Sequence, residues 1–231
     1  MEGARGKDAV TARDDILSNI RRSLGVTGLE APRRASVEGR IAGAPSGVVP
    51  ARGNVDGEAR VALFVDEAER TQATVSRVTA AADAPGEIAR YLRDNNLPAT
   101  LRMGGDARLG AMDWSQTAIT ISTGASEGDD LNAVSHALAA IAETGTLALA
   151  SGPDNPTTLN FLPDNHIVVL DAADIAGDME SVLSKLRGAY GKGAMPRALN
   201  FITGPSRSGD IEQTLLLGAH GPRRLHVVVV G

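Results

Sequence analysis

Cysteine is absent from the 231 residues. Its absence excludes disulfides, Cys-type zinc sites, a cysteine nucleophile and any iron–sulfur cluster held by thiolates of this chain. Aromatic residues make up only 3%: Phe64, Tyr91, Trp114, Phe161, Tyr190 and Phe201. The core is therefore built mainly from Leu, Val, Ile and Ala, and too few rings exist for a stacking platform that would hold single-stranded nucleic acid. Lysine is scarce as well, confined to Lys7, Lys185 and Lys192. The net charge is −5, with residues 1–60 slightly basic and the remainder acidic. A nucleic-acid partner, which needs a strongly basic face, is not expected. No run reaches the ~18 consecutive apolar residues of a membrane helix, so no membrane span is expected. The charged opening MEGARGKDAV has no apolar signal segment. A cytoplasmic protein is the expectation.

Apolar residues at 42% and charged residues at 22% are ordinary for a folded chain. The length fits one large domain with an appendage. Ile16, Leu17, Ile20 and Leu24 fall on one helical stripe. Thr11 and Asp14 resemble a capping box, and Gly25 can stop the helix. Residues 1–24 thus read as an N-terminal helical extension whose narrow stripe needs a surface to dock on. Residues 25–58 carry scattered Gly and Pro and no sustained period, which predicts a flexible Gly/Pro-rich linker.

From residue 59 to 231 the pattern is regular. Helical spacing covers about 59–72, 85–95, 131–140, 178–187 and 208–217. β-rich runs occupy 74–78, 99–103, 117–121, 146–151, 166–170, 198–203 and 225–230. Strands alternating with helices predict an α/β fold with a mainly parallel sheet flanked by helices. The near-continuous apolar runs HIVVL and LHVVVV read as strands covered on both faces.

In such sheets ligands bind beyond the carboxyl ends of strands, so the loops after strands hold the candidates. Glu143 lies in IAETGT, between an alanine-rich segment and an apolar strand. Desolvation there suits a nucleophile, a base or a hydrogen-bond anchor; a tight turn with Gly145 supplying positive φ reads the same residues structurally. Thr146 begins the following strand. In SGPDNPTT, Asn155 and Thr157 offer polar groups near a turn, which suits an anion cradle or an ordinary connection. In TGPSRSGDIE, Gly204 and Ser206 permit close backbone approach, Arg207 offers a guanidinium fork, and Ser208 and Asp210 stand at an expected helix start. Capping of that helix is the structural alternative. His220 sits in GAHGP, just before the last strand. The three loops 143–146, 152–158 and 204–210 are expected to meet at one edge of the sheet. No G-x-x-x-x-G-K-[ST] or strand-following G-x-G-x-x-G is present. The four histidines show no paired metal-ligand spacing. No cofactor and no metal are expected.

Three segments together resemble a known family. IAETGTL at 141–147, GPSRSGDIE at 204–212 and LGAHGPRRLHV at 217–227 are similar to motifs of the LUD-domain family, of the lactate utilization protein C type. The resemblance covers roughly residues 59–231. Ser208-Gly209 replaces the family's Thr-Ala, and Thr157-Thr158 stand where some members carry basic residues. The resemblance implies a fold related to the sugar-phosphate isomerase and CoA-transferase superfamily. It also implies a part in oxidising L-lactate to pyruvate beside iron–sulfur subunits, this chain being a non-cluster component that binds a small carboxylate or phosphate, or a partner. Related CoA-transferases use a nucleophilic Glu beside a Gly. The alternative is therefore a stand-alone transferase or isomerase-like enzyme acting on a carboxylate, acyl-CoA or sugar phosphate through Glu143. A regulatory ligand sensor is a third possibility.

Overall fold

The apolar stripes and runs of the sequence become two sheets packed face to face, in a computed structural model that describes residues 11–208 and 216–231. The chain divides between Pro45 and Ser46 into two compact units.

The first unit holds α1 (Ala12–Leu24) and α2 (Ala31–Gly43). The capping box forms: the Thr11 hydroxyl accepts from the Asp14 N–H, and the Asp14 carboxylate accepts from the Thr11 N–H. Gly25 closes the helix at φ 64°. No residue of either helix is buried, and Ile16, Ile20 and Leu24 stay exposed. The segment 25–58, expected as a flexible linker, contains one short 3₁₀ turn at Ala51–Gly53 and the helix α2. Only Val37 and Ile41 mark its apolar side, too few positions to show a period, while Pro32 fits the first turn of a helix without breaking it.

The second unit runs α3 (Gly57–Arg70), β1 (Thr74–Val78), α4 (Ala84–Asp94), β2 (Thr100–Met103), α5 (Ala107–Gly110), β3 (Thr120–Thr123), β4 (Asn132–His136), β5 (Ala139–Ile141), β6 (Thr146–Ala150), β7 (Asn165–Asp171), β8 (Ile175–Ala176), α6 (Met179–Tyr190), β9 (Leu199–Ile202), β10 (Arg207–Ser208), β11 (Leu216–Leu217) and β12 (Arg224–Val230). Six strands form a parallel sheet in the order β1-β12-β7-β4-β2-β3. A second sheet has the order β8-β5-β6-β9, with β6 antiparallel to both β5 and β9. The pair β10–β11 is antiparallel.

The parallel sheet is covered on both faces. On one, Val168 and Leu170 of β7 and Val227 and Val229 of β12 pack with Phe64 and Ala68 of α3 and with Leu147 and Leu149 of β6. On the other, Ile167, Val169 and Val228 meet Ile88, Tyr91 and Leu92 of α4. Complete burial of each such aliphatic chain contributes roughly 1.5–3 kcal/mol. β7 and β12 therefore form the centre of the domain, as their unbroken apolar runs predict.

Three expectations fail for definite reasons. Residues 131–140 are not helical but form β4 and β5, because an alanine-rich segment buried on all sides carries no periodicity with which to tell strand from helix. The expected helix 208–217 is contradicted at both ends, where Ser208 and Leu216–Leu217 lie in the β10–β11 pair; residues 209–215 lie outside the described residues. Finally, TLALA and LNFI join the second sheet rather than the parallel one, which changes where the loops after them lead.

Candidate functional site

The end of α3 positions two of the candidate loops. After β5 the chain makes a 3₁₀ turn, Ala142–Thr144, and Gly145 reverses it at φ 63°. A Cβ on Gly145 would lie 2.4 Å from the Ala68 backbone nitrogen, so a side chain has no room there. After β9, Gly204 adopts φ 72° with its Cα pressed on the same helix end; an added Cβ would stand 2.2 Å from the Thr71 carbonyl oxygen. Hydroxyls tie the two turns together. Thr146 Oγ1 is 2.7 Å from Thr203 Oγ1 and 2.8 Å from Thr144 Oγ1.

From Gly204 the chain enters a compact knot centred on Ser206. Its N–H donates to the Pro222 carbonyl at 2.8 Å, its carbonyl accepts from the Gly218 N–H at 2.9 Å, and its hydroxyl accepts from the His220 N–H at 3.3 Å. The Ser206 N–H is thus consumed internally and is not the free anion donor that the loop's small residues suggest. The consequence is architectural: Gly204–Arg207 and His220–Pro222 are stapled into one wall.

That wall closes a cavity of about 270 Å³, lined also by Asn160, Phe161, Phe201, Ile202, Thr203, His166 and Leu225. His166 and Leu225 are the second residues of β7 and β12, so the cavity lies at the amino ends of the central strands. Among the described residues no carboxylate lines it, while Arg207 and His220 do. Both of these are exposed, and among the described residues no ion pair engages Arg207. The local field favours an anion. Beneath lies a buried polar network in which His166 Nε2 is 3.0 Å from Ser135 Oγ, itself 3.3 Å from Asn160 Oδ1. Burial pushes His166 down to about 3, so it is neutral at physiological pH.

The three-loop convergence is not what the structure builds. Gly204, Ser206, Arg207 and His220 share the cavity. Thr146 supports it from behind through Thr203, while Gly145 packs on the end of α3 and does not line it. Glu143 is buried, its N–H donating to the Gly177 carbonyl at 3.2 Å, but it does not line the cavity. The segment 152–155 goes to the opposite end of the parallel sheet, where the Gly105 N–H donates to the Pro153 carbonyl at 3.0 Å just beyond β2. Asn155 closes its own turn, exchanging backbone hydrogen bonds of 3.2 Å with Gly152. Thr157 opens a 3₁₀ turn whose last residue, Asn160, does reach the cavity. Ser208 sits in β10, outside the lining, and Asp210 lies outside the described residues. The strand-end rule misleads because it concerns parallel sheets, whereas β6 and β9 are antiparallel neighbours in the other sheet.

A second polar cluster, at the carboxyl ends of the parallel strands, escaped the sequence reading. The chain leaves β2 toward the edge strand β3 and leaves β4 toward the central β7, so strand order reverses between β2 and β4. Beside that point, Arg108 forks onto buried Asp106, Nε to Oδ1 at 3.1 Å and Nη2 to Oδ2 at 2.7 Å. Burial of Asp106 works against ionisation, but the Arg108 bonds outweigh it and its carboxyl is held below the usual range. His136, last in β4, places Nδ1 3.0 Å from the Ala137 carbonyl and Nε2 3.5 Å from Asp171 Oδ2. Burial lowers its pKa. The His136 part of this signal was hidden by reading 131–140 as a helix.

Comparison with known proteins agrees with the motif reading. Residues 132–230 match the family model of the LUD domain. The chain is 37% identical to lactate utilization protein C of Geobacillus thermodenitrificans over 91 residues, covering 39% of this chain and 38% of that protein. It is 34% identical to lactate utilization protein C of Shouchella clausii over 90 residues, 39% of each chain. The matched stretch therefore spans under half the length of these curated relatives. A crystal structure of a DUF162 family protein from Deinococcus radiodurans superposes with a TM-score of 0.57 at 23% identity, covering 77% of this chain and 99% of that one, and so shares the fold. Among the described residues no helix is long and apolar enough to cross a membrane.

Proposed function

We propose that this chain, with its LUD-domain match over residues 132–230, is a non-cluster component of a lactate-utilization system that binds a small carboxylate in the Gly204–Arg207/His220–Pro222 cavity. The observation that carries the reading is the cavity itself. It is stapled around Ser206, carries Arg207 and His220 with no lining carboxylate among the described residues, and is built from segments that resemble the lactate utilization protein C type. Its volume, about 270 Å³, falls just below the ~300–1,000 Å³ usual for small-molecule sites. That suits an anion of few atoms. Acyl-CoA would have to leave most of its length outside, and Glu143, the nucleophile of the transferase alternative, does not line the cavity.

Converting lactate to pyruvate removes two electrons and two protons. A chain with no cysteine supplies no thiolates for a cluster. In this reading the electrons pass to iron–sulfur subunits acting beside it, and this protein holds the carboxylate. The test is genetic. Deleting the gene should stop growth on L-lactate and spare growth on pyruvate, and the wild-type chain should restore growth where Arg207→Ala restores it poorly. Unimpaired growth of the deletion strain on L-lactate would overturn the proposal.

A further inference from the structure

The floor of the cavity carries more information than its charge. The carboxamide oxygen of Asn160 can only accept, so the Ser135 hydroxyl donates to it across 3.3 Å. The lone pair of Ser135 Oγ is then left to accept from His166 Nε2–H at 3.0 Å. A neutral imidazole has one N–H, and here it is on Nε2. His166 Nδ1 is therefore a bare acceptor. It has no hydrogen-bond partner, and neither has Asn160 Nδ2, which is a donor. Both side chains are 1% exposed and both line the cavity. An unmet buried polar group is costly, and two beside one cavity mark a place where a ligand supplies what the fold does not.

We propose that this acceptor and donor read the oxygen next to the ligand's carboxylate and select a hydroxyl over a carbonyl, so that the site takes a 2-hydroxy acid in preference to its 2-keto counterpart. The inference rests on the carboxylate reading of the cavity and deepens it. A hydroxyl donates to His166 Nδ1 and still accepts from Asn160 Nδ2. A keto oxygen accepts only, which leaves Nδ1 facing another lone pair. Sites built to bond a hydroxyl reject the analogue without it, because their own polar groups are then left unpaired.

The test is calorimetric titration of the full chain with L-lactate, pyruvate and propionate as probes. L-Lactate should bind roughly 5- to 150-fold more tightly than pyruvate or propionate, the range that one unmet buried partner implies. His166→Phe should bring the three ligands near parity. Because His166→Phe risks misfolding, the wild-type comparison stands as a test by itself. Equal affinity for L-lactate and pyruvate would overturn the hydroxyl selection alone and leave the carboxylate site standing. Failure of all three to bind would overturn both. A lactate preference that survives in folded His166→Phe would overturn the assignment to His166.

Discussion

Acid should destabilise this protein well before its carboxylates titrate, and two of the three histidines buried in its parallel sheet set most of the size of the effect. His166 is fully enclosed, and burial holds it down to about 3. His226 stacks on Tyr91 with ring centroids 3.9 Å apart, between the hydroxyls of Thr74 and Ser76; burial pushes it down to about 4, against the opposing pull of Glu87. An unfolded histidine takes up its proton near 6.5. Below that pH the unfolded chain binds protons that the folded chain refuses, so stability falls as pH drops and stops falling, for these groups, below their folded values. At pH 5 the unfolded histidine lies about 1.5 units above ambient pH, and each unit is worth about 1.4 kcal/mol, so each histidine costs about 2 kcal/mol. That figure holds as long as both folded values lie under 5. Together they should remove about 4 kcal/mol between pH 7.5 and 5, with His136, also lowered by burial, adding in the same direction. Urea unfolding across that range measures it, and His226→Phe, which keeps the stacked ring, should remove about 2 kcal/mol of the loss. A stability flat from pH 7.5 to 5 would refute the reasoning.

Other outcomes follow from the same geometry. Gly145→Ala combines φ 63° with a Cβ 2.4 Å from the Ala68 nitrogen, and should destabilise by roughly 2–4 kcal/mol in a thermal or urea melt; a change near zero would show that the end of α3 yields easily. Arg207→Ala should weaken L-lactate binding roughly 10- to 150-fold, the range for a charge-assisted hydrogen bond, with no loss of melting temperature because the side chain is exposed. Glu143→Gln should leave lactate affinity unchanged, since Glu143 lies outside the lining; a marked loss would bring the 143–146 turn back into the site.

The parts of the fold visible in sequence were those with a strong period or a strong run. β7 and β12 show as unbroken apolar stretches because both of their faces are buried, and α3 and α4 show through Val61, Phe64 and Ala68, and Ile88, Tyr91 and Leu92, at helical spacing. The capping box of α1 was readable because Thr11 and Asp14 act within one turn. What stayed hidden depends on pairing between distant strands. Thr146–Ala150 and Leu199–Ile202 look like members of any sheet, and nothing local tells that β6 and β9 run antiparallel in a second one. The site was half legible for that reason. Gly204, Arg207 and His220 are marked by unusual local composition, whereas Asn160 and His166 become neighbours only through Ser135, a residue of a strand read as helix. The same misreading concealed the His136–Asp171 pair at the other end of the sheet.

Those two ends give the most direct test of the central claim. In an amide chemical-shift titration of the full chain with L-lactate, the cavity reading predicts perturbations at Gly204, Ser206, Arg207, His220 and Gly221, with Gly104, Gly105, Asp106 and Ala137 unmoved. Shifts confined to Gly104, Gly105, Asp106 and Ala137 would contradict it and place the carboxylate at the carboxyl ends of β2 and β4.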